Sequence, residues 1–234
     1  MRADTEDSSL VSQLKANAIW LLPLLAIILV LLVQWPQLHL TYIFHQDDTM
    51  PQLRRMESYV TSVRHGSYFP KVFPEEVRNF GYAFDAFYPS LLLLPYVWLR
   101  LTGMGIVSAY YGYQTLILVA TVVTAYVSFL RIRRQPLAGF VFSLVYTTAV
   151  YRALDAFVRG ALGENVAFIF LPVIAAGMYE IYAKQSRNWF LLAFGVTGLM
   201  YAHMLSLVMV LVFLVGGFLV LVALQRVTWR MVRY

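Results

Sequence analysis

Residues Ala18–Trp35 read AIWLLPLLAIILVLLVQW, a run without a charged side chain, and the fold class follows from it. About 20 such residues in a helix cross a hydrocarbon core, where only helical pairing satisfies the backbone of a single segment. Similar runs recur at Val107–Leu130 and Met204–Leu224. Of the 234 residues, 60% are hydrophobic and 13% charged, with a mean hydropathy of +0.67. That composition lies outside the range of soluble globular chains. The reading is an all-α, polytopic helical membrane protein of about six to seven membrane segments.

Outward from the first run, residues 1–17 carry Asp4, Glu6 and Asp7 beside Arg2 and Lys15. No small-residue cleavage site follows the apolar run, so it reads as an uncleaved signal anchor with a cytoplasmic N-terminus. Pro36 is expected to close the first span, 18–35. Residues 36–85 form a polar loop. Within it Gln37–Asp85 holds five basic and six acidic residues, a near-neutral balance that favours the extracytoplasmic side.

In this loop Thr49-Met50-Pro51-Gln52 resembles a capping box, with Thr49 as N-cap and Gln52 at N3. Leu53, Met56, Val60 and Val63 follow at helical spacing, with Arg54, Arg55, Glu57 and Arg64 off the stripe. The period predicts an amphipathic helix over 50–65 that lies on the membrane and stops at Gly66. Tyr68, Phe69, Phe73, Phe80, Tyr82, Phe84, Phe87 and Tyr88 read as an interfacial aromatic belt.

Residues 86–224 form the membrane domain: Ala86–Leu101, Ile106–Leu130, Leu137–Val150, Val166–Ala183, Trp189–Ala202 and Met204–Leu224. Ala86–Leu101 carries Pro89, Pro95 and Arg100, and reading it as re-entrant or interfacial restores the count of sides. Tyr151–Asn165 and His203 then share the side of the first loop. Lys184–Asn188 and the basic end, 225–234, fall on the other.

The net charge of +6 sits in short links: Arg131, Arg133 and Arg134, then Lys184 and Arg187, then Arg226, Arg230 and Arg233. That is the pattern of retained cytoplasmic loops, and it argues against nucleic acid as a partner. The absence of cysteine excludes disulfides and thiolate metal sites.

Two polar clusters share the outer side. The first is His45-Gln46-Asp47-Asp48, and the second runs from Tyr151 to Glu164. On a regular helix Arg152, Asp155 and Arg159 would share one face. Glycosyl transfer from a lipid phosphate needs a carboxylate to take the acceptor proton or hold a divalent metal, and cations to stabilise the leaving phosphate. Asp47 or Asp48 suits the first role, and Arg152 and Arg159 suit the second. His45 with Asp47 offers the start of a site for Mg or Mn.

Plainer readings stand beside these. The acid pair can be a helix cap, and the arginines can form surface pairs with lipid phosphate contacts. Glu164 can favour the helix N-terminus it precedes. His203, also a candidate substrate contact, can be a satisfied interhelical histidine. Glu75 and Glu76 read as solvated.

The order of a span, an outer loop with an Asp pair, His65-Gly66-x-x-x-Pro70 and Phe87-Tyr88-Pro89 resembles the N-terminal half of GT-C-fold membrane glycosyltransferases. Tyr151-Arg152-x-x-Asp155-x-x-x-Arg159-Gly160-Ala161-x-x-Glu164, followed by Phe170-Leu171-Pro172, is similar to bacterial 6-pyruvoyl-tetrahydropterin-synthase-related membrane proteins. No pterin chemistry is evident in these residues. The resemblance covers about residues 18–215.

It implies sugar transfer from a polyprenyl-phosphate donor on the non-cytoplasmic face, with Asp47 or Asp48 as the catalytic or metal-binding acid. Relatives of that kind usually continue through further helices and often a soluble domain. The resemblance therefore implies a fragment, a truncated product or one part of a split protein, with a membrane-protein partner or a C-terminal half completing it. The alternative expectations are a non-catalytic membrane scaffold with the same fold and, less favoured, a transporter or flippase. The last would need buried charge near the midplane, and the spans carry almost no ionisable residues, with Glu180 near a cytoplasmic end and His203 near the outer one.

Overall fold

The computed structural model describes residues 3–74, 76–83, 85, 89–184, 188–224 and 226–227; the side chains of 3–16, 18 and 79 are left aside. Helix α1, Ala3–Leu38, contains the first apolar run. Pro36 does not close it. A proline one turn from a helix end removes a single backbone bond, and the chain turns only beyond it, with His39 N donating to Pro36 O at 3.4 Å. Ala26, Val30 and Gln34, four residues apart, form its buried stripe, while Trp20, Leu32 and Val33 stay exposed. A helix apolar all round with one narrow covered face suits a lipid surround.

Helix α2, Thr49–Arg64, ends before Gly66, which takes φ +86°. Asp48, not Thr49, holds the N-cap position, and no side chain caps the helix. The Thr49 hydroxyl instead donates to Gln46 Oε1 at 2.7 Å. The capping-box expectation is corrected on this point. The apolar stripe also differs from expectation: Met56, Val60 and Val63 are buried in the protein core with Tyr59, Phe73 and Tyr96, not laid open to a bilayer. Phe73 thus leaves the aromatic belt, while Tyr68, Phe69 and Phe80 remain exposed; Phe84, Phe87 and Tyr88 lie outside the described residues.

Helix α3, Leu94–Leu101, follows a 3₁₀ turn at Leu91–Leu93 and packs on α2. Arg100 Nε and Nη2 donate to the two Glu57 oxygens at 2.8 and 2.9 Å, and Tyr96 also donates to Glu57. Burial opposes the Glu57 charge, yet the Arg100 and Tyr96 hydrogen bonds outweigh it and hold the carboxyl below its ordinary pKa of 4.5. Helix α4, Ile106–Ile132, is the hub, touching α1, α3 and two later helices, Pro136–Thr147 and Leu171–Tyr182. Tyr113 donates to Leu92 O at 2.6 Å, so α3 crosses the first turns of α4. Inside α4, Thr115, Thr121 and Thr124 return their hydroxyls to carbonyls four residues back, the way polar side chains are satisfied in an apolar surround.

The remaining helices are α5 (Pro136–Thr147), α6 (Val150–Leu154), α7 (Leu162–Ala167), α8 (Leu171–Tyr182), α9 (Trp189–Ala202) and α10 (Met204–Ala223). A π-type turn, Asp155–Arg159, continues α6. Helices α8 and α9 approach so closely that a Cβ on Gly177 would lie 2.5 Å from Leu192 N. Among the described residues the only extended pairing is the isolated bridge Phe73–Tyr82.

Among the described residues four helices are long and apolar enough to cross a membrane: Ile19–Leu38, Ile106–Ile132, Leu162–Tyr182 and Met204–Ala223. A fifth arises if Pro136–Thr147 and Val150–Arg159, bent by 41°, form one span. The sequence count of six to seven included Ala86–Leu101, read as re-entrant or interfacial, and Trp189–Ala202; the helices found there, Leu91–Leu101 and Trp189–Ala202, are shorter. At ~1.5 Å per residue neither matches a ~30 Å core. The long apolar helices mark a membrane-embedded protein.

Tyr111 donates to Tyr42 O, and Tyr126 to Ile19 O, so α1 and α4 run antiparallel. One end of the bundle therefore gathers the first loop and the start of α4. The other gathers Arg131 and Lys184, whose Nζ donates to Arg131 O at 2.9 Å.

Candidate functional site

Three breaks in helical structure meet at the first-loop end. They are the loop before α2, the stretch from the π-type turn to α7, and the single residue between α9 and α10. Asp48 N donates to Arg159 O at 2.8 Å, and Gln46 Nε2 donates to Ala156 O at 3.2 Å. Gly160 makes this approach possible. It takes φ +67°, and a Cβ there would stand 2.2 Å from Thr49 Oγ1 and 2.7 Å from Gln46 Oε1. The third break is His203, extended at φ −156°, ψ 110°. It sits so close to Gly163 that a Cβ on that glycine would lie 3.1 Å from His203 Cδ2.

At the centre stands Arg159, two-fifths exposed along its side chain. Its Nη1 donates to Asp155 Oδ1 at 2.6 Å, to Glu164 Oε2 at 3.1 Å and, weakly, to Tyr151 OH at 3.5 Å. Tyr151 in turn donates to Glu164 Oε2 at 2.9 Å. Only Nη1 of the guanidinium is used in these bonds. Asp155 is fully buried, and its Oδ2 has no partner.

Asp47 and Asp48 are exposed, and neither carboxylate bonds or pairs with a described residue. Asp48 sits at the N-cap without capping, so the plain reading of a cap does not account for its carboxylate. His203 Nδ1 lies 2.8 Å from Ser206 Oγ and accepts from Ser206 N at 3.4 Å. Burial holds the imidazole below the ordinary histidine range; the field of Glu164 opposes that shift, Arg159 adds to it and Asp48 opposes it. The imidazole is thus neutral at pH 7 and lies within the field of both acidic clusters.

Arg152 differs from expectation. The π-type turn adds a residue to the helical cycle, so Arg152 and Arg159 no longer share a face. Arg152 is buried at 3% exposure, and its Nη1 and Nη2 donate to Thr147 O and Thr121 Oγ1 at 3.0 and 3.3 Å. It faces an interior cavity, whereas Arg159 faces out. His45 is exposed, and among the described residues no three His, Asp or Glu side chains form a metal-holding group.

The sequence reading placed Gln46 and Tyr151 in the two polar clusters without a role and took Thr49 as a cap, so it missed the bonds by which they build this junction. It also missed Gln34 and Gln114, buried amides that line the cavity beside Arg152. Glutamine within an apolar helix was the signal available for the last two, since an amide in that setting needs a partner. These features define a membrane-embedded helical protein with an open acidic and basic junction at one end. No family model, curated protein or solved structure matches the chain.

Proposed function

We propose that this junction is the headgroup site of a membrane glycosyltransferase, or of its N-terminal module. It would move a sugar from a polyprenyl-phosphate donor to an acceptor on the extracytoplasmic face. The observation that carries the reading is the 2.8 Å backbone bond from Asp48 N to Arg159 O, which joins the acid-bearing loop to the turn that carries the arginine.

In the reaction the acceptor oxygen attacks the anomeric carbon, and the bond from that carbon to the phosphate oxygen breaks. Asp47 or Asp48 takes the acceptor proton. Arg159 offsets the charge that develops on the departing lipid phosphate, with donors left over for its oxygens. Glu164 and Asp155 hold the guanidinium, and Tyr151 fixes Glu164. Asp47 or Asp48 would hold a Mg or Mn ion, which would supply Lewis-acid assistance.

The test is donor turnover by the chain in nanodiscs, with a panel of labelled polyprenyl-phosphate sugars. Asp47→Ala or Asp48→Ala should abolish turnover while leaving membrane insertion intact. Unchanged turnover in both single variants and in the double variant overturns the reading.

One observation favours a second reading, a membrane scaffold or assembly partner. Of α10 only Leu207 is buried, and Val212, Phe213 and Leu219 face outward. A copurifying helical partner, with no donor bound to this chain, would support it.

A further inference from the structure

The cavity beside Arg152 has a volume of about 170 Å³ and lies between α1, α4 and the bend from α5 to α6. A water needs ~10–15 Å³ by the same measure, so the space holds on the order of ten water-sized groups. Its walls divide by chemistry. At the inner end stand Arg152, Gln114 and Asn165, all buried; at the outer end stand Val33, Phe44 and Phe157. These last three are 62%, 47% and 42% exposed, so the cavity opens through an apolar mouth onto the flank of the helices.

Three polar atoms of the lining have no partner: Arg152 Nε, a donor, Asn165 Oδ1, an acceptor, and Thr147 Oγ1, a hydroxyl able to act as either. The orientation of the Asn165 amide is set by its Nδ2, which donates to Ala161 O at 3.2 Å. Arg152 also makes no ion pair, and its guanidinium rests 5.8 Å from the Phe168 ring centroid. The buried Asp155 carboxyl lies in the field of Arg152 without pairing with it directly; a buried cation with no anion in contact is costly, and a buried acceptor left empty adds to the cost. A ligand that relieves both must offer an anionic oxygen to Arg152 and an adjacent hydroxyl to Asn165. It must also be apolar where it meets Val33 and Phe157.

We propose that this cavity binds the head of a single-chain membrane amphiphile carrying an anionic oxygen and a neighbouring hydroxyl, with its chain leaving past Val33 into the lipid. The site is separate from the junction at Arg159, for the Gln46–Ala156 hydrogen bond stands between them. The inference does not rest on the transfer reaction.

The test measures equilibrium binding to the full chain in detergent, with labelled hexadecyl phosphate as the probe. One molecule should bind per chain, at least tenfold tighter than hexadecanol or inorganic phosphate. Arg152→Gln should weaken binding at least tenfold, and at least fivefold more than Arg159→Gln does. Val33→Trp, which narrows the mouth and leaves the buried end alone, should weaken binding as well and guards against misfolding of the arginine variant.

Equal binding of hexadecanol would overturn the proposal, as would equal competition by inorganic phosphate. Equal losses in the two arginine variants would also overturn it. Donor turnover lost in Asp48→Ala with probe binding kept separates this site from the transfer reading.

Discussion

Two charged clusters at opposite ends of the bundle, one around Glu180 and Lys184 and the other around Arg159, Asp155 and Glu164, differ in closure. At one end Glu180 accepts from Lys184 Nζ at 2.9 Å and from Asn188 Nδ2 at 3.0 Å, and Lys184 also reaches Arg131 O. Both carboxylate oxygens are occupied. At the other end Asp155 keeps a buried oxygen without a partner, Arg152 keeps a buried nitrogen, and Asp47 and Asp48 stand bare. A closed network holds helices together, while an open one retains capacity to bind something else.

The largest effect that would break this contrast is on turnover. The double change Asp47→Asn with Asp48→Asn should lower donor turnover by about 10²–10⁴-fold, the range for loss of a general base, with the thermal midpoint in detergent unchanged. Glu180→Ala should do the reverse. It leaves Lys184 without its anion and lowers stability by about 1–3 kcal/mol, a value reduced from that of a fully buried pair because Lys184 is 39% exposed. Turnover per folded molecule should stay the same, and a large drop would erase the distinction between the two ends.

Gly160→Ala tests the closeness of the junction. It puts a Cβ on a residue at φ +67° and against Thr49 Oγ1. A cost of about 1–2 kcal/mol and at least tenfold in turnover is expected, read by denaturation and by the donor assay.

The smallest effect concerns pH. His203 is held neutral by burial below its ordinary value of 6.5. The unfolded chain therefore binds more protons as pH falls below 6.5, and stability complete above that value declines toward the folded pKa. His203→Gln should flatten this slope in melts recorded at descending pH.

Much of the fold was legible because apolar runs carry it. The run 18–35 gave the first span, the helix ending at Gly66 needed only a period and a glycine, and the break at His203 fell between two apolar segments. The face of α2 was legible but its cover was not, since periodicity marks Met56 and Val60 as buried without saying whether lipid or Tyr96 lies against them. The meeting of Asp48 with Arg159 was legible only as a shared side. The position of Arg152 was not, because the extra residue of a π-type turn has no compositional mark and reverses where an arginine three residues earlier points.

The Gln46–Ala156 bond joins segments 110 residues apart in the chain. At ~5–20 residues per second, a ribosome finishes the second partner on the order of 5–20 s after the first has emerged. Through that interval the loop carrying Asp47 and Asp48 waits undocked, so the junction forms only once the helices through Val150–Leu154 have been made.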